Sequence, residues 1–252
     1  MNPNKMIEII GVPLDLGANI AGSSLGPQAF RNAGLCESLS SSNIPIIANK
    51  DIEIPSRETL SCDMRKKKYL PIIKEVCQIL SKRTYSCLDQ GNMPLIIGGD
   101  HSLAIGSISG IKKWHHEKGK SLGVVWFDAH ADLRDQYMGT GWGHASAARR
   151  IFQLCPLVQV GVRSLSLPEK EFIEKEMVRT YYWPAEEDME SLVRSILGDL
   201  SPNVYVTVDL DVLDSSIMSA VGTPEPGGLF WDETLNIIKI AAKNSRIVGA
   251  DI

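Results

Sequence analysis

The sequence VVWFDAHAD (residues 124–132) decides how the rest of the chain is interpreted. It begins with an apolar run that lacks polar alternation, which is typical of a strand buried on both faces of a parallel sheet. Three polar side chains follow at once, namely Asp128, His130 and Asp132. Because ligands bind beyond the carboxyl ends of strands in open parallel sheets, this segment predicts a core strand that ends in a functional site.

Similar apolar runs recur along the chain between longer amphipathic segments. The predicted strands are residues 7–12, 44–48, 94–97, 122–127, 157–162, 180–183, 204–208 and 247–250. The predicted helices are residues 71–88, 103–114, 144–152, 169–177, 187–197 and 232–243. This alternation predicts a three-layer α/β/α sandwich with a mostly parallel sheet of about eight strands. Since no repeat or shift in composition interrupts it, we expect residues 1–252 to form a single domain.

Composition excludes several classes of function. The chain has 252 residues, a net charge of −4 and 44% apolar residues, which suits one large core. The slight acidity argues against nucleic acid as a partner. No stretch has the length of a membrane span or a signal peptide, so we expect no membrane partner and a cytoplasmic protein. The five cysteines lack Cys-x-x-Cys spacing, which favours reduced thiols.

Three of the predicted strands run into clusters of histidine and aspartate. These clusters are GGDHS (98–102), DAHAD (128–132) and DLDVLD (209–214). The residues within them that are predicted to converge as ligands are His101, Asp128, His130, Asp132, Asp209 and Asp211. In an extended chain, residues spaced by two share one face, so each cluster could direct its side chains into one cleft. His115 and His116, by contrast, are predicted to form an exposed helix end.

So many carboxylates in one cleft would repel one another unless cations neutralised them. Carboxylates with a minority of imidazoles suit Mn²⁺ or a similar divalent ion. The set is too large for one catalytic ion with an open position, and it suits two bridged ions roughly 3.5–4 Å apart. Taken singly, Asp128 also fits a helix cap and Gly98-Gly99 also fits a turn. The occurrence of all three clusters, each after an apolar strand, favours the metal site.

The motifs GGDHS (98–102), FDAHADL (127–133), VDLDVLD (208–214) and GTPEPGG (222–228) resemble the ureohydrolase family of arginases and agmatinases. The resemblance extends over nearly the whole chain, including residues 9–35, and it implies the arginase/deacetylase-like version of the predicted fold. It also implies two Mn²⁺ per subunit and hydrolysis of a small guanidino substrate to urea and an amine. A homo-oligomer, either a trimer or a hexamer, is implied as well.

The resemblance further implies a role for each site residue. One manganese would take His101, Asp128, Asp132 and Asp209, and the other would take Asp128, His130, Asp209 and Asp211. Asp128 and Asp209 would bridge, and the two cations would lower the pKa of a shared water. Asp132 resembles the residue that passes a proton to the leaving amine. His144 matches a histidine at the mouth of the cleft that shuttles protons, a role suited to the ordinary pKa of histidine.

Different segments of the chain resemble family members that act on different substrates. Residues 9–35 and 56–80 are most similar to arginases, whereas LRDQYMGTGWGHASAARR (133–150) is most similar to agmatinases. The second segment should line the substrate end of the cleft. It therefore favours agmatine, hydrolysed to putrescine and urea. The alternative is an arginase that converts L-arginine to ornithine and urea.

The last residues of the sequence give a further expectation. In the family, the final strand continues into a glutamate that pairs with the substrate guanidinium, whereas this sequence stops at Ile252. We therefore expect a domain truncated at its C-terminus, with a sheet edge or core face exposed. Glu225 is a candidate replacement partner for the guanidinium, or else part of a structural loop. A third hypothesis is a truncated metal-binding pseudoenzyme that acts as an assembly subunit.

Overall fold

A computed structural model describes residues 6–48, 50–185 and 189–252. Its sheet has eight strands, all parallel to their neighbours, in the order β2-β1-β3-β8-β7-β4-β5-β6. The strands are β1 (Ile7–Gly11), β2 (Ile46–Ala48), β3 (Met93–Ile97), β4 (Gly123–Phe127), β5 (Leu157–Val162), β6 (Arg179–Tyr182), β7 (Asn203–Val208) and β8 (Arg246–Asp251). The predicted eight-stranded α/β fold is confirmed, and the sheet is parallel throughout rather than mostly so.

Helices cover both faces of this sheet. Within the described residues they are α1 (Gly26–Asn32), α2 (Leu35–Ser41), α3 (Cys62–Lys66), α4 (Leu70–Asp89), α5 (Leu103–Glu117), α6 (Ala147–Phe152), α7 (Leu167–Glu176), α8 (Met189–Asp199) and α9 (Trp231–Asn244). None of these helices is long and apolar enough to cross a membrane. All five cysteines are free thiols, as predicted.

Alternate residues of β4 divide the core between the two faces. Val124 and Trp126 pack in a cluster with residues of α4, α5 and α6. Val125 and Phe127 pack in a second cluster with residues of α8 and α9. Every residue of β4 is buried, which explains why its sequence shows no polar alternation.

Several local predictions differ from the structure. Helices α1, α2 and α3 are not among the predicted helices, because their short sequences lack a clear helical period. The predicted helix 144–152 is a 3₁₀ turn at His144–Ser146 followed by α6. The predicted helix 187–197 begins outside the described residues. The prediction for His115 was wrong: α5 continues beyond residue 114, so this ring is buried and bonds through Nδ1 to the carbonyl of Ile111.

The position of β8 also corrects an expectation. The edges of the sheet are β2 and β6, and β8 lies inside it between β3 and β7. The last strand is therefore not an exposed sheet edge. Because β3, β8, β7 and β4 are consecutive neighbours, the three clusters that follow β3, β4 and β7 meet at the same end of the sheet.

Candidate metal centre

The Gly-Gly pair after β3 lets two loops approach closely enough to position His101. A Cβ atom on Gly99 would lie 1.8 Å from the carbonyl oxygen of Leu14, which no side chain can tolerate. Instead, the amide of Asp100 donates a 2.6 Å hydrogen bond to that same carbonyl. Glycine is therefore required at position 99 by close backbone approach, and the turn brings His101 over the end of β4.

His101 heads the first of two groups of ligand atoms. Its Nδ1 lies 2.9 Å from Oδ2 of Asp128, 3.5 Å from Oδ2 of Asp209 and 3.6 Å from Oδ2 of Asp132. One ligand atom each from His101, Asp128 and Asp209 lies within 4.8 Å of the others, as a metal ion requires.

The second group is formed by Asp128, His130 and Asp211. Nδ1 of His130 lies 3.0 Å from Oδ2 of Asp211 and 3.4 Å from Oδ1 of Asp128. The two oxygens of Asp128 thus point to different groups, Oδ2 to the first and Oδ1 to the second. This is the arrangement expected of a carboxylate that bridges two ions.

The segment 128–132 reaches this geometry by a turn rather than by the extended chain expected from its spacing. Asp132 has a φ of +51°, in the left-handed region that side chains rarely adopt. This conformation turns Asp132 toward His101, although it belongs to neither of the two tight groups. Asp209 also falls only in the first group, so its predicted bridging role stays a prediction.

Burial sets the electrostatics of this centre. Desolvation, followed by the charges of Asp211 and Asp128, raises the pKa of Asp209 to about 8. Burial also raises the pKa of Asp132 well above its ordinary value. Although burial opposes the charged ring, the carboxylates around His130 raise its pKa to about 12. These pKa shifts come from burial and from the crowding of several carboxylates, and a bound cation would relieve both effects.

Three buried residues that were not predicted support His101. Its ring stacks on Trp126 with centroids 3.9 Å apart, and the indole Nε1 donates to Asp128 Oδ2 at 2.9 Å. Nε2 of His101 lies 2.8 Å from the hydroxyl of Thr207. The Thr207 hydroxyl is also hydrogen-bonded to Asp251. Since a carboxylate can only accept, the hydroxyl donates to Asp251 and is free to accept from His101 Nε2. In this structure Nδ1 lies 2.9 Å from Asp128 Oδ2, where it donates, whereas a neutral ring protonated at Nε2 would direct its Nδ1 lone pair toward the centre.

A cavity of about 490 Å³ opens onto the centre and is lined by His101, Asp209, Asp211 and His144 among others. Nε2 of His144 is buried and has no hydrogen-bond partner within the described part of the chain. Burial lowers the pKa of His144, and the nearby aspartates only partly oppose this effect. The structure thus brings His144 to the same cavity as the ligand set.

Glu225 lies beside the centre but outside this cavity. Its Oε1 is 3.6 Å from Nε2 of His130. Glu225 is not among the described residues that line the cavity. Its backbone is held by Arg163, which was also not predicted as a site residue. The Arg163 guanidinium donates to the carbonyls of Gly161, Asp211, Val212, Leu213, Glu225 and Pro226. Arg163 therefore ties the end of β7 to the GTPEPGG loop.

Comparison with known proteins agrees with this geometry. Residues 5–252 match the model of the arginase family. The chain belongs to the arginase family. An arginase from Bacillus caldovelox is 34% identical over 274 residues, which cover 98% of this chain and 89% of that protein. The arginase structure from Bacillus cereus has a TM-score of 0.85 at 30% identity, covering 98% of this chain and 89% of its own.

A likeness to an agmatine ureohydrolase of Thermoplasma volcanium concerns the fold alone. That structure has a TM-score of 0.76 at 23% identity, covering 99% of this chain and 81% of its own. Membership of the arginase family makes the chain a ureohydrolase, an enzyme that acts on guanidino compounds. It also agrees with a binuclear metal site, for which the two His/Asp groups supply the ligands.

Proposed function

We propose that this chain is a binuclear manganese ureohydrolase that cleaves a small guanidino compound, with agmatine as the preferred substrate. The observation that carries the proposal is the pair of ligand groups that share Asp128 and open onto one cavity. Agmatine would yield putrescine and urea.

The proposed ligand set matches two divalent ions in number and charge. Four aspartates carry a formal charge of −4, which two divalent ions would balance, and the two imidazoles would bind as neutral rings. The ligands proposed are those assigned from the sequence: His101, Asp128, Asp132 and Asp209 for one ion, and Asp128, His130, Asp209 and Asp211 for the other. When bound, such ions supply the positive charge that makes a shared water acidic near neutral pH.

Two further side chains would move protons. Asp132 lies within 3.6 Å of His101 Nδ1, and we assign its carboxylate the transfer of a proton to the leaving amine. His144 presents an unpartnered Nε2 beside the cavity, and its lowered pKa keeps the ring neutral at physiological pH. A neutral ring can accept a proton at Nε2 and return it to solvent.

The charge of the cavity supports agmatine. Besides the proposed metal ligands Asp209 and Asp211, the cavity is lined by Asp100 and Asp251, and no lysine or arginine is found among the described residues that line it. Agmatine carries a positive charge at each end, whereas the far end of arginine adds a carboxylate. A carboxylate in a buried site needs donors or a cation to compensate for lost water. The agmatinase-like segment 133–150 supports the same choice.

Arginine is the second candidate because the 34% identical relative is an arginase. The cavity also offers neutral hydrogen-bond donors, since Asn19 and Ser23 line it. The Ser23 hydroxyl is buried without a partner among the described residues. A hydroxyl can donate to a carboxylate or accept from an ammonium group, so it can serve either substrate.

The test is urea release by the Mn²⁺-reconstituted full chain from agmatine, L-arginine and 4-guanidinobutyrate, which differ in the charge at the far end. We expect kcat/KM for agmatine to exceed that for both other compounds by at least about tenfold, or about 1.4 kcal/mol. A preference for arginine would replace agmatine with the second candidate. Absence of urea from all three would contradict the proposed hydrolysis, with Asp128→Asn as the inactive control.

Metal identity and assembly need separate measurements. Because availability and geometry select among divalent ions, urea release should be compared after reconstitution with Mn²⁺, Co²⁺, Ni²⁺ and Zn²⁺. We further propose a trimer or hexamer, which light scattering on the eluting protein would test. A monomer at micromolar concentration would contradict that assembly.

A further inference from the structure

The two ring nitrogens of His130 face different carboxylates. Nδ1 points into the centre, 3.0 Å from Asp211 and 3.4 Å from Asp128. Nε2 points away from it, 3.6 Å from Oε1 of Glu225. The ring therefore lies between the candidate metal ligands on one side and a single carboxylate on the other.

The GTPEPGG loop (222–228) is fixed on both sides of Glu225. On one side, the hydroxyl of Thr223 donates to Asp211 Oδ2 at 3.2 Å. On the other, the amides of Gly227 and Gly228 donate to Asp214 Oδ2 at 2.6 and 3.0 Å. Between them, Nη2 of Arg163 donates to the Glu225 carbonyl at 2.9 Å. The position of Glu225 beside His130 is thus set by the backbone of an anchored loop.

A carboxylate at Nε2 has a definite chemical consequence for a neutral imidazole. A histidine that binds a metal ion is a neutral ring with one N–H and one lone pair, and an acceptor beside Nε2 would hold the proton there. The lone pair is then left on Nδ1, facing Asp128 and Asp211. The 3.6 Å separation is an ion-pair distance, and shortening it by about 0.6 Å would give an ordinary N–H···O hydrogen bond.

The same arrangement exists at His101, where it is fully buried. There the Thr207 hydroxyl donates to Asp251 and can therefore accept from Nε2, which lies 2.8 Å away. Both imidazoles of the centre therefore have an acceptor at Nε2 and direct Nδ1 inward. The acceptor for His130 is the more accessible one, because the Glu225 side chain is 35% exposed.

We propose that Glu225 is a positioning residue of the metal centre, which accepts from Nε2 of His130 and so presents Nδ1 as the ligand atom. This inference rests on the proposed binuclear site. It differs from the role of guanidinium partner, because Glu225 faces a ligand residue, with its Oε1 3.6 Å from Nε2 of His130. Carboxylates that hold a histidine ligand in this way strengthen metal binding.

The test is Mn²⁺ titration of the full metal-free chain by calorimetry, with an independent count of bound ions by electron paramagnetic resonance. For Glu225→Ala we expect one of the two sites to bind about 10–100-fold more weakly, and the other to be unchanged. Glu225→Gln should recover most of that loss, because its amide oxygen still accepts from Nε2. The matched control is Glu171→Ala, which removes an exposed glutamate from α7 and should leave both sites unchanged.

Steady-state kinetics at saturating Mn²⁺ separate the proposed role from substrate binding. If Glu225 positions His130, KM for the guanidino substrate should stay within about twofold of the wild-type value once both sites are filled. Unchanged metal affinity in Glu225→Ala would overturn the inference. A raised KM with unchanged affinity would, in addition, assign Glu225 to the substrate. If the wild-type chain releases no urea but Glu225→Ala still weakens one metal site, the proposed function fails and the positioning role stands.

Discussion

Replacing Thr207 with valine tests how the buried network beneath His101 supports the metal centre. Thr207 is fully buried at the end of β7, and its hydroxyl joins His101 Nε2 to Asp251. Valine has nearly the same shape but lacks the hydroxyl. The substitution therefore removes one hydrogen bond from each neighbour while leaving the packing in place.

The expected loss follows from the groups left without a partner. An unpaired buried polar group costs about 1–3 kcal/mol, and Thr207→Val leaves two, His101 Nε2 and one oxygen of Asp251. Asp251 keeps its bonds from Ser107 at 2.9 Å and Tyr205 at 2.7 Å, which limits the penalty there. We expect the free energy of unfolding of the metal-free chain to fall by about 2–5 kcal/mol. We also expect Mn²⁺ to bind about 10–100-fold more weakly.

The assay is urea denaturation of the metal-free chain followed by fluorescence, together with calorimetric titration of Mn²⁺ at 25 °C. Thr207→Ser should restore both quantities, because serine keeps the hydroxyl. Thr234→Val is the matched control: Thr234 is buried in α9, and its hydroxyl donates to the carbonyl of Phe230, the residue before that helix, which is not part of the centre. It should lower stability by about 1 kcal/mol and leave metal affinity unchanged.

The reasoning would be refuted if Thr207→Val lost less than about 0.5 kcal/mol and bound Mn²⁺ within twofold of the wild-type affinity. That result would mean that the orientation of His101 depends on its stacking against Trp126 rather than on Thr207. If Thr207→Val lost as much stability as Thr234→Val without a change in metal affinity, the Thr207 hydroxyl would contribute only an ordinary hydrogen bond in the core.

Three further predictions follow from the same geometry. The metal-free chain should lose stability as pH rises from about 4 to 8, because folded Asp209, with its pKa raised to about 8, keeps a proton that the unfolded chain releases. The rise in Tm on adding Mn²⁺ should accordingly be larger at pH 8 than at pH 5. An equal rise at the two pH values would contradict this prediction. Arg163→Met should lower the free energy of unfolding, measured by urea denaturation, by at least about 3 kcal/mol, because carbonyls of two segments lose a charged donor. A loss below about 1 kcal/mol would show that contacts other than those of Arg163 hold the GTPEPGG loop. Gly99→Ala should weaken Mn²⁺ binding at least about tenfold in calorimetry, because the new Cβ would collide with the Leu14 carbonyl and displace His101. The control is Gly198→Ala, whose Cβ would meet open space and should leave Mn²⁺ affinity unchanged.

The positions of the candidate ligands could be predicted because each ligand motif directly follows an apolar strand in the sequence. The apolar run of β4 reads as a buried strand, and Asp128 follows its last residue. In a parallel sheet such a position must lie at the carboxyl edge, whatever the order of the strands. The alternation of strands and helices predicted the α/β fold for the same reason, since each element carries its own pattern.

The support of those ligands could not be predicted, because it comes from strands distant in sequence. Thr207 contacts His101, and Asp251 contacts Thr207, because β8 lies between β3 and β7. An isolated Asp251 at the end of a strand gave no reason to expect a buried partner for a threonine 44 residues away. Arg163 was similarly overlooked, because an arginine after a strand usually faces solvent.

The sequence by itself determined the type of the elements, the family and the six candidate ligand residues, because hydrophobic periodicity and short motifs are local properties. The tertiary structure alone decided which oxygen of Asp128 faces which group, and that Glu225 faces His130. Those relations depend on strand order, on the left-handed turn at Asp132 and on the loop anchored by Arg163. All three are set by packing between distant segments, and none leaves a pattern in the neighbouring residues.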